Sequence, residues 1–164
     1  MQTFLPSKDF NESAKMLDSK RLNKQILEAY QILRVLSGVN EGNGWVNHPA
    51  VKMWRGSEYI LFTYATAMLR EADVRGIKTD KNRSNLNLIR NFAMKNWGTS
   101  FPAWYKNPQE LKRVVATHKS NLFIKDEEFY YEFKISLLDP NSKPCCAECK
   151  YYWPTHASKK EFVR

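Results

Sequence analysis

Leu22, Ile26, Ala29, Leu33 and Leu36 recur at spacings of four, three, four and three, which marks one buried face of a helix. Asp18 ahead of them can accept from the free N–H groups of a first turn, and Ser37-Gly38 supplies a stop. Before this helix, Pro6 disfavours helix at Leu5, so the first eight residues read as an extended arm. Asp9 or Asn11 then caps a short helix ending near Leu17. After a turn-rich loop over residues 38–44, Pro49 suits a first helical position, with His48 or Asn47 as its cap. A long helix is predicted over residues 57–75, carrying Ile60, Leu61, Tyr64, Ala67, Met68 and Leu69, with Gly76 behind it. Another is predicted over 85–97, using Leu86, Ile89, Phe92 and Ala93. Residues 101–106 read as an aromatic loop. Pro108 opens a helix with Leu111, Val114, Val115, His118 and Leu122, and Asp126 restarts a shorter one through Phe133. Beyond Leu138 the periodicity is lost. The pattern predicts an all-α fold, a compact single domain over residues 1–164 with an extended N-terminal arm and a loop-rich C-terminal arm.

Composition narrows the class. An apolar fraction of 43% and an aromatic fraction of 13% indicate a folded chain rather than a basic disordered tail. No run of 18 apolar residues and no signal-peptide core occurs, so a cytoplasmic protein without membrane partners is expected. With 26 Lys and Arg against 17 Asp and Glu, the formal charge is +9, which favours a polyanionic partner such as nucleic acid. Charge alone does not separate DNA from RNA or from an acidic protein.

The main helix also carries the candidate chemistry. Beside its apolar stripe runs a row of Arg21, Lys24, Glu28 and Gln31, with Lys20 at its start. Arg21 and Glu28 stand seven residues apart, two turns and about 10 Å, so both point the same way. Spacing alone reads this row as a solvated face in which Lys24 and Glu28 form an i,i+4 pair worth a few tenths of a kcal/mol. Elsewhere, Trp45 and Trp54 read as core and His118 as a satisfied core histidine. The loop aromatics Trp104 and Tyr105 beside Lys106, and Tyr151, Tyr152 and Trp153 near the end, are the candidates for stacking on bases.

Three segments appear in the order used by one family: residues 18–28, then Gly44-Trp45-Val46-Asn47-His48-Pro49-Ala50, then residues 64–76, with a Tyr/Trp-rich end. In these the chain resembles the pyrimidine-dimer DNA glycosylases of the phage endonuclease V type, as a divergent member. The resemblance implies a helical fold with the N-terminal arm threaded between helices. It also implies cleavage of double-stranded, damaged DNA by a monomer that needs no cofactor for catalysis. Glu28 falls on the family's catalytic glutamate. Arg21 stands where the phage enzyme has a functional histidine, and Gln31 where it has a phosphate-contacting arginine. The family uses its amino terminus as the nucleophile, and a residue as large as Gln2 should hinder removal of Met1, so either the Met1 amine acts itself or the nucleophile is a different group. The resemblance implies Met1, Glu28, Arg21 and His48 as the catalytic set. Lys20, Lys24, Gln31, Asn47 and the loop aromatics are the DNA contacts.

The chemistry is sound in itself. An α-amino group titrates near about 7.7 in peptides, so part of it is a free amine at neutral pH and can attack C1′ of a damaged nucleotide. A neighbouring carboxylate can stabilise the developing positive charge and move the protons of a β-elimination. Two further features leave alternatives open. Cys145, Cys146 and Cys149, with His156 seven residues on, have part of a zinc spacing, but no second cysteine pair completes a finger, so a structural zinc is not favoured. The basic surface without the chemistry would be a silent nucleic-acid-binding domain, and a zinc-stabilised interaction module is the second rival.

Overall fold

The computed structural model describes residues 1–39, 45–137 and 152–155, and among these residues the regular structure is helical throughout. Helix α1 covers Phe10–Met16 and α2 covers Ser19–Leu36. The four-residue α3 is Pro49–Lys52, followed by α4, Glu58–Val74, and α5, Asp80–Ala93. A 3₁₀ turn, Met94–Asn96, leads to the short α6, Ala103–Lys106, then to α7, Pro108–Lys125, and a second 3₁₀ segment, Tyr131–Leu137. None of the helices among the described residues is long and apolar enough to cross a membrane.

The caps explain most of these boundaries. Asp9 accepts from the Glu12 N–H at 2.9 Å, and Asp18 accepts from the Arg21 N–H at 2.9 Å, each satisfying a donor that the first turn leaves free. Gly38 and Gly76 adopt φ of 70° and 66° just past α2 and α4, where a side chain would be strained. Arg75 closes the end of α1 from outside, donating to the carbonyls of Leu17 at 2.6 Å and Lys15 at 2.9 Å. Three expectations are corrected. Helix α5 begins at Asp80, five residues earlier than its apolar spacing suggested, and Phe92 lies on its outer face, 67% exposed. The aromatic loop contains α6, and its Trp104 is buried. Asp126 caps a turn by accepting from the Phe129 N–H at 3.1 Å, and a 3₁₀ segment follows in place of an α-helix.

Helices α2 and α4 form the central pair. Leu22, Ile26, Ala29, Ile32 and Leu33 of α2, and Leu61, Tyr64, Ala65, Met68 and Ala72 of α4, are fully buried in one apolar cluster. At the far end of α4 the buried Glu58 accepts from the N–H groups of Gly56 and Gly98, both at 2.8 Å. Gly98 approaches so closely that a Cβ there would stand 2.0 Å from the Gly56 carbonyl oxygen, which only glycine permits.

The N-terminal arm runs through this core. Gln2, Thr3, Phe4 and Leu5 are all buried, yet among the described residues no strand lies beside them to take their backbone hydrogen bonds. Helix side chains do so instead. The Gln2 N–H donates to Glu28 Oε2 at 2.7 Å, the Phe4 N–H to Gln25 Oε1 at 2.7 Å, and the Leu5 N–H to His118 Nδ1 at 2.8 Å. The Tyr64 hydroxyl donates to the Phe4 carbonyl at 2.7 Å, and the Trp54 indole N–H donates to Thr3 Oγ1 at 2.9 Å. Five side chains on α2, α4, α7 and the segment after α3 therefore fix the arm in one register.

His118 is satisfied as expected of a core histidine, and its tautomer follows from these bonds. Nδ1 accepts from Leu5, so Nε2 carries the proton and faces the Gln2 amide at 2.8 Å, which then presents its oxygen. Burial pushes the His118 imidazole down to about 3 from its usual 6.5. The unfolded chain takes up this proton below pH 6.5 and the native state does not, so the stability due to this group is complete above that pH and falls as pH drops toward 3. Urea denaturation should show the wild type losing up to about 1.4 kcal/mol per pH unit from this group between pH 6 and 4. His118→Gln should be weaker at pH 7 with a flatter profile. Parallel profiles for the two proteins would contradict the assignment.

Candidate active site

The arm's first hydrogen bond defines the site. Glu28 is 8% exposed, and its Oε2 receives the Gln2 N–H at 2.7 Å. One residue spans at most about 3.6 Å, so the Met1 amine lies within about 6 Å of this carboxylate. On the other side Lys24 Nζ stands 3.6 Å from Glu28 Oε1, with its side chain 65% exposed. The i,i+4 pair read from the sequence is therefore present. The carboxylate is nonetheless not part of a solvated face, because the arm covers it.

His48 closes the site from α3. Its Nδ1 accepts from the Ala50 N–H at 3.1 Å, so it caps α3 through that nitrogen, and its other nitrogen is the one that carries hydrogen. Burial, and secondly the positive charge of the amino terminus, lower its pKa below 6.5, which makes it a neutral imidazole at pH 7 and places it within electrostatic reach of the amine. Trp45 and Trp153 flank the ring, with centroids 5.3 and 5.9 Å from it. Trp153 is held there by its neighbour. The Tyr152 hydroxyl donates to the Glu110 carboxylate, and the Arg113 guanidinium lies 3.9 Å above the Tyr152 ring. Met1, Val46, Tyr152 and Trp153 are partly buried against the same core.

The arrangement thus combines an amine, a covered carboxylate beside a lysine, a neutral imidazole and an aromatic wall. Against it the family comparison is decisive. A family model described as pyrimidine dimer DNA glycosylase matches residues 1–85 of the 164, a span that contains Met1, Glu28 and His48. The chain belongs to the pyrimidine dimer DNA glycosylase family. Neither a curated protein nor a solved structure gives a significant match. Membership of this glycosylase family makes DNA the substrate class and agrees with the basic charge.

Of the catalytic candidates, the Gln2 bond brings Met1 close to Glu28, the amino-terminal charge acts on His48, and Arg21 stands apart. Arg21 donates to Asp18 Oδ2 at 2.6 Å, to Asp126 Oδ2 at 3.5 Å and to the Lys125 carbonyl at 3.0 Å, and it lies over the Tyr130 ring. Burial works to raise the Asp18 carboxyl, but hydrogen bonds from Tyr130 and Arg21 outweigh it and hold the group below its usual value. Arg21 therefore ties α2 to the end of α7, and its two-turn offset from Glu28 keeps it out of the amine's surroundings.

The DNA-contact candidates divide as well. Lys20, Lys24, Gln31, Asn47 and Lys106 are exposed. Trp104 is 6% exposed and its indole N–H donates to the Met53 carbonyl at 2.7 Å, so it is core rather than a stacking residue. Tyr105 donates to the Lys8 carbonyl and stacks on Phe101, lining a groove of about 530 Å³ between α1, α4 and α6. Tyr152 is occupied with Glu110 and Arg113, and its service to the site is to deliver Trp153. Cys145, Cys146, Cys149, Tyr151 and His156 lie outside the described residues. Among the described residues no group of three His, Cys, Asp or Glu is placed to hold a metal ion.

Two contributors escaped the sequence reading. Gln25, fully buried one turn before Glu28, receives the Phe4 N–H and so sets the arm's register. Its polar type on an apolar face was the available signal. Trp45 was expected in the core but is 50% exposed.

Proposed function

We propose that this family member is a DNA glycosylase with AP-lyase activity that acts on pyrimidine dimers through an imine formed by the Met1 amine. The observation that carries the reading is the hydrogen bond from the Gln2 N–H to Glu28, which sets a chain amine beside a covered carboxylate. The neutral amine attacks C1′ of the damaged nucleotide with its lone pair. The bond from C1′ to the base nitrogen breaks, its electrons leave with the base, and the base takes a proton. The amine nitrogen gives up a proton and the sugar's C1′–O4′ bond opens, leaving C1′ joined to nitrogen as a protonated imine and O4′ as a hydroxyl. Glu28 then removes a proton from C2′, and the C3′–O bond breaks to release the 3′-phosphate. His48, neutral and fixed by its cap, orients its N–H toward the site.

In this reading the exposed Lys20, Lys24, Lys106, Gln31 and Asn47 contact the phosphate backbone, and the protein works as a monomer on duplex DNA without a metal in the chemistry. Incubation with irradiated and unirradiated supercoiled plasmid tests it. Nicks confined to the irradiated plasmid are expected, and equal nicking of both, or of neither, would contradict it. Lys24→Ala should weaken binding to damaged and undamaged duplexes alike and reduce the slope of log affinity against log salt by about one unit. An unchanged slope would remove Lys24 from the phosphate contacts. Arg21→Ala should instead lower the melting temperature, because it removes the bonds from α2 to the Lys125 carbonyl and Asp126 at the end of α7.

A further inference from the structure

The groove between α1, α4 and α6 takes no part in the site around Glu28. Its α4 wall is the stripe of Tyr59, Phe62, Thr63, Thr66 and Arg70. At about 100° per residue, this stripe lies roughly 180° around the helix from Leu61, Ala65, Met68 and Ala72, the buried side that packs with α2. The groove and the carboxylate on α2 therefore stand on opposite sides of α4. The facing wall is aromatic and fixed. Phe101 stacks on Tyr105 at 4.7 Å with the planes inclined at 27°, and Phe10 meets Tyr105 edge-on at 5.8 Å. The Tyr105 hydroxyl donates to the Lys8 carbonyl, where the chain has left the core. Even so, Phe101 and Tyr59 are each 42% exposed. Lys8 and Arg70 line the same groove, are exposed, and have no acidic partner among the described residues. The carboxylate among the lining residues, Asp9, is turned to the Glu12 N–H as the cap of α1.

Ring faces open to water beside unpaired cations suit a ligand that is both aromatic and anionic. A nucleotide is such a ligand, and DNA is the substrate class of this family. A duplex keeps its base faces stacked on one another and offers only edges and phosphates. A wall of ring faces therefore takes a base only from an unpaired strand. We propose that this groove is a second DNA site that holds a nucleotide of a single strand, its base against Phe101 and Tyr59 and its phosphate against Lys8 and Arg70. The volume of about 530 Å³ falls within the range of about 300–1,000 Å³ usual for ligand pockets. The proposal goes beyond the glycosylase reading and needs only DNA as the partner, so the imine chemistry plays no part in it.

The probe is a fluorescently labelled single strand of about eight thymidines, within the roughly 4–16 nucleotides typical of single-strand sites, read by anisotropy. Phe101→Ala should bind it at least ~5-fold more weakly, with Phe101→Tyr close to wild type. That loss is the lower end of the about 5- to 150-fold that one stacked base contributes. Arg70→Ala should reduce the slope of log affinity against log salt by about 0.7, the loss of one phosphate contact on a single strand. Both alanine variants should bind an undamaged duplex within about twofold of wild type and nick irradiated plasmid as wild type does. Arg70 is exposed, so its variant carries the test should Phe101→Ala lower the melting temperature. Unchanged affinity for the strand in both variants would overturn the proposal. An equal loss on strand and duplex would overturn it too, making the groove part of the duplex contact. Displacement of the probe by an equal concentration of thymidine monophosphate would make this a site for free nucleotides, again against the proposal. A wild type that nicks no plasmid but shows the single-strand difference would sink the glycosylase reading and leave the groove standing.

Discussion

Glu28→Gln lowers strand cleavage at a pyrimidine dimer by at least ~100-fold and leaves affinity for the duplex nearly intact. The glutamine side chain keeps an oxygen where Glu28 Oε2 accepts the Gln2 N–H at 2.7 Å, so the arm and the amine stay in place. It loses the negative charge that stabilises a cationic sugar and the basic oxygen that removes the C2′ proton, and a positioned acid–base group contributes about 100- to 10,000-fold. The Lys24 side chain, 65% exposed, remains free to contact phosphate. Single-turnover cleavage and equilibrium binding, measured on the same lesion duplex, separate the two effects. Near-normal cleavage by the variant would take Glu28 out of the mechanism. A fall in melting temperature large enough to account for the loss would make the carboxylate an anchor for the arm and no more.

Acetylating the Met1 amine, or extending the chain ahead of it with an uncleaved tag, abolishes cleavage of both the glycosidic bond and the strand. An amide nitrogen has no basic lone pair to attack C1′. The bonds that hold the arm begin at the Gln2 N–H and continue through Phe4 and Leu5, so an acetyl group removes none of them. The melting temperature should move by no more than a few degrees while activity falls to background. Intact-mass measurement of the native protein should find Met1 retained, as the bulk of Gln2 requires. Full activity after complete acetylation would exclude the amino terminus as nucleophile.

The helices were legible because each is a local object. The stripe on α2, the Asp18 and Asp9 caps, Pro49 after His48 and Pro108 at the start of α7 all act within a turn or two of themselves. The site was less legible because it depends on the arm. Periodicity placed Glu28 in a cationic row facing water, and only the packing of Gln2 onto α2 turns it into a covered group. Helical spacing carries no information about a segment 26 residues away. The tryptophans make the same point. Trp45 and Trp54 read alike in the sequence, yet Trp54 finds Thr3 and is fully buried while Trp45 stays half exposed. Trp104, in what read as an open loop, is drawn inward by the Met53 carbonyl. Arg21 shares a helix face with Glu28 and the resemblance implies it for the catalytic set, but an arginine chain is long enough to turn toward Asp18 and the end of α7. The amine, the glutamate and the histidine are candidates through the resemblance, as Arg21 is, because periodicity carries no information about long-range packing.

Borohydride trapping with peptide mapping tests the central claim most directly. Wild-type protein incubated with a dimer-containing duplex and sodium borohydride should form a covalent protein–DNA adduct, because hydride reduces the imine to a stable amine. The cross-linked peptide should contain Met1, and prior acetylation should prevent the adduct. An adduct on Lys20 or Lys24 would contradict the amino-terminal mechanism while keeping imine chemistry. The absence of any adduct on a duplex that the protein demonstrably binds would contradict the imine mechanism itself.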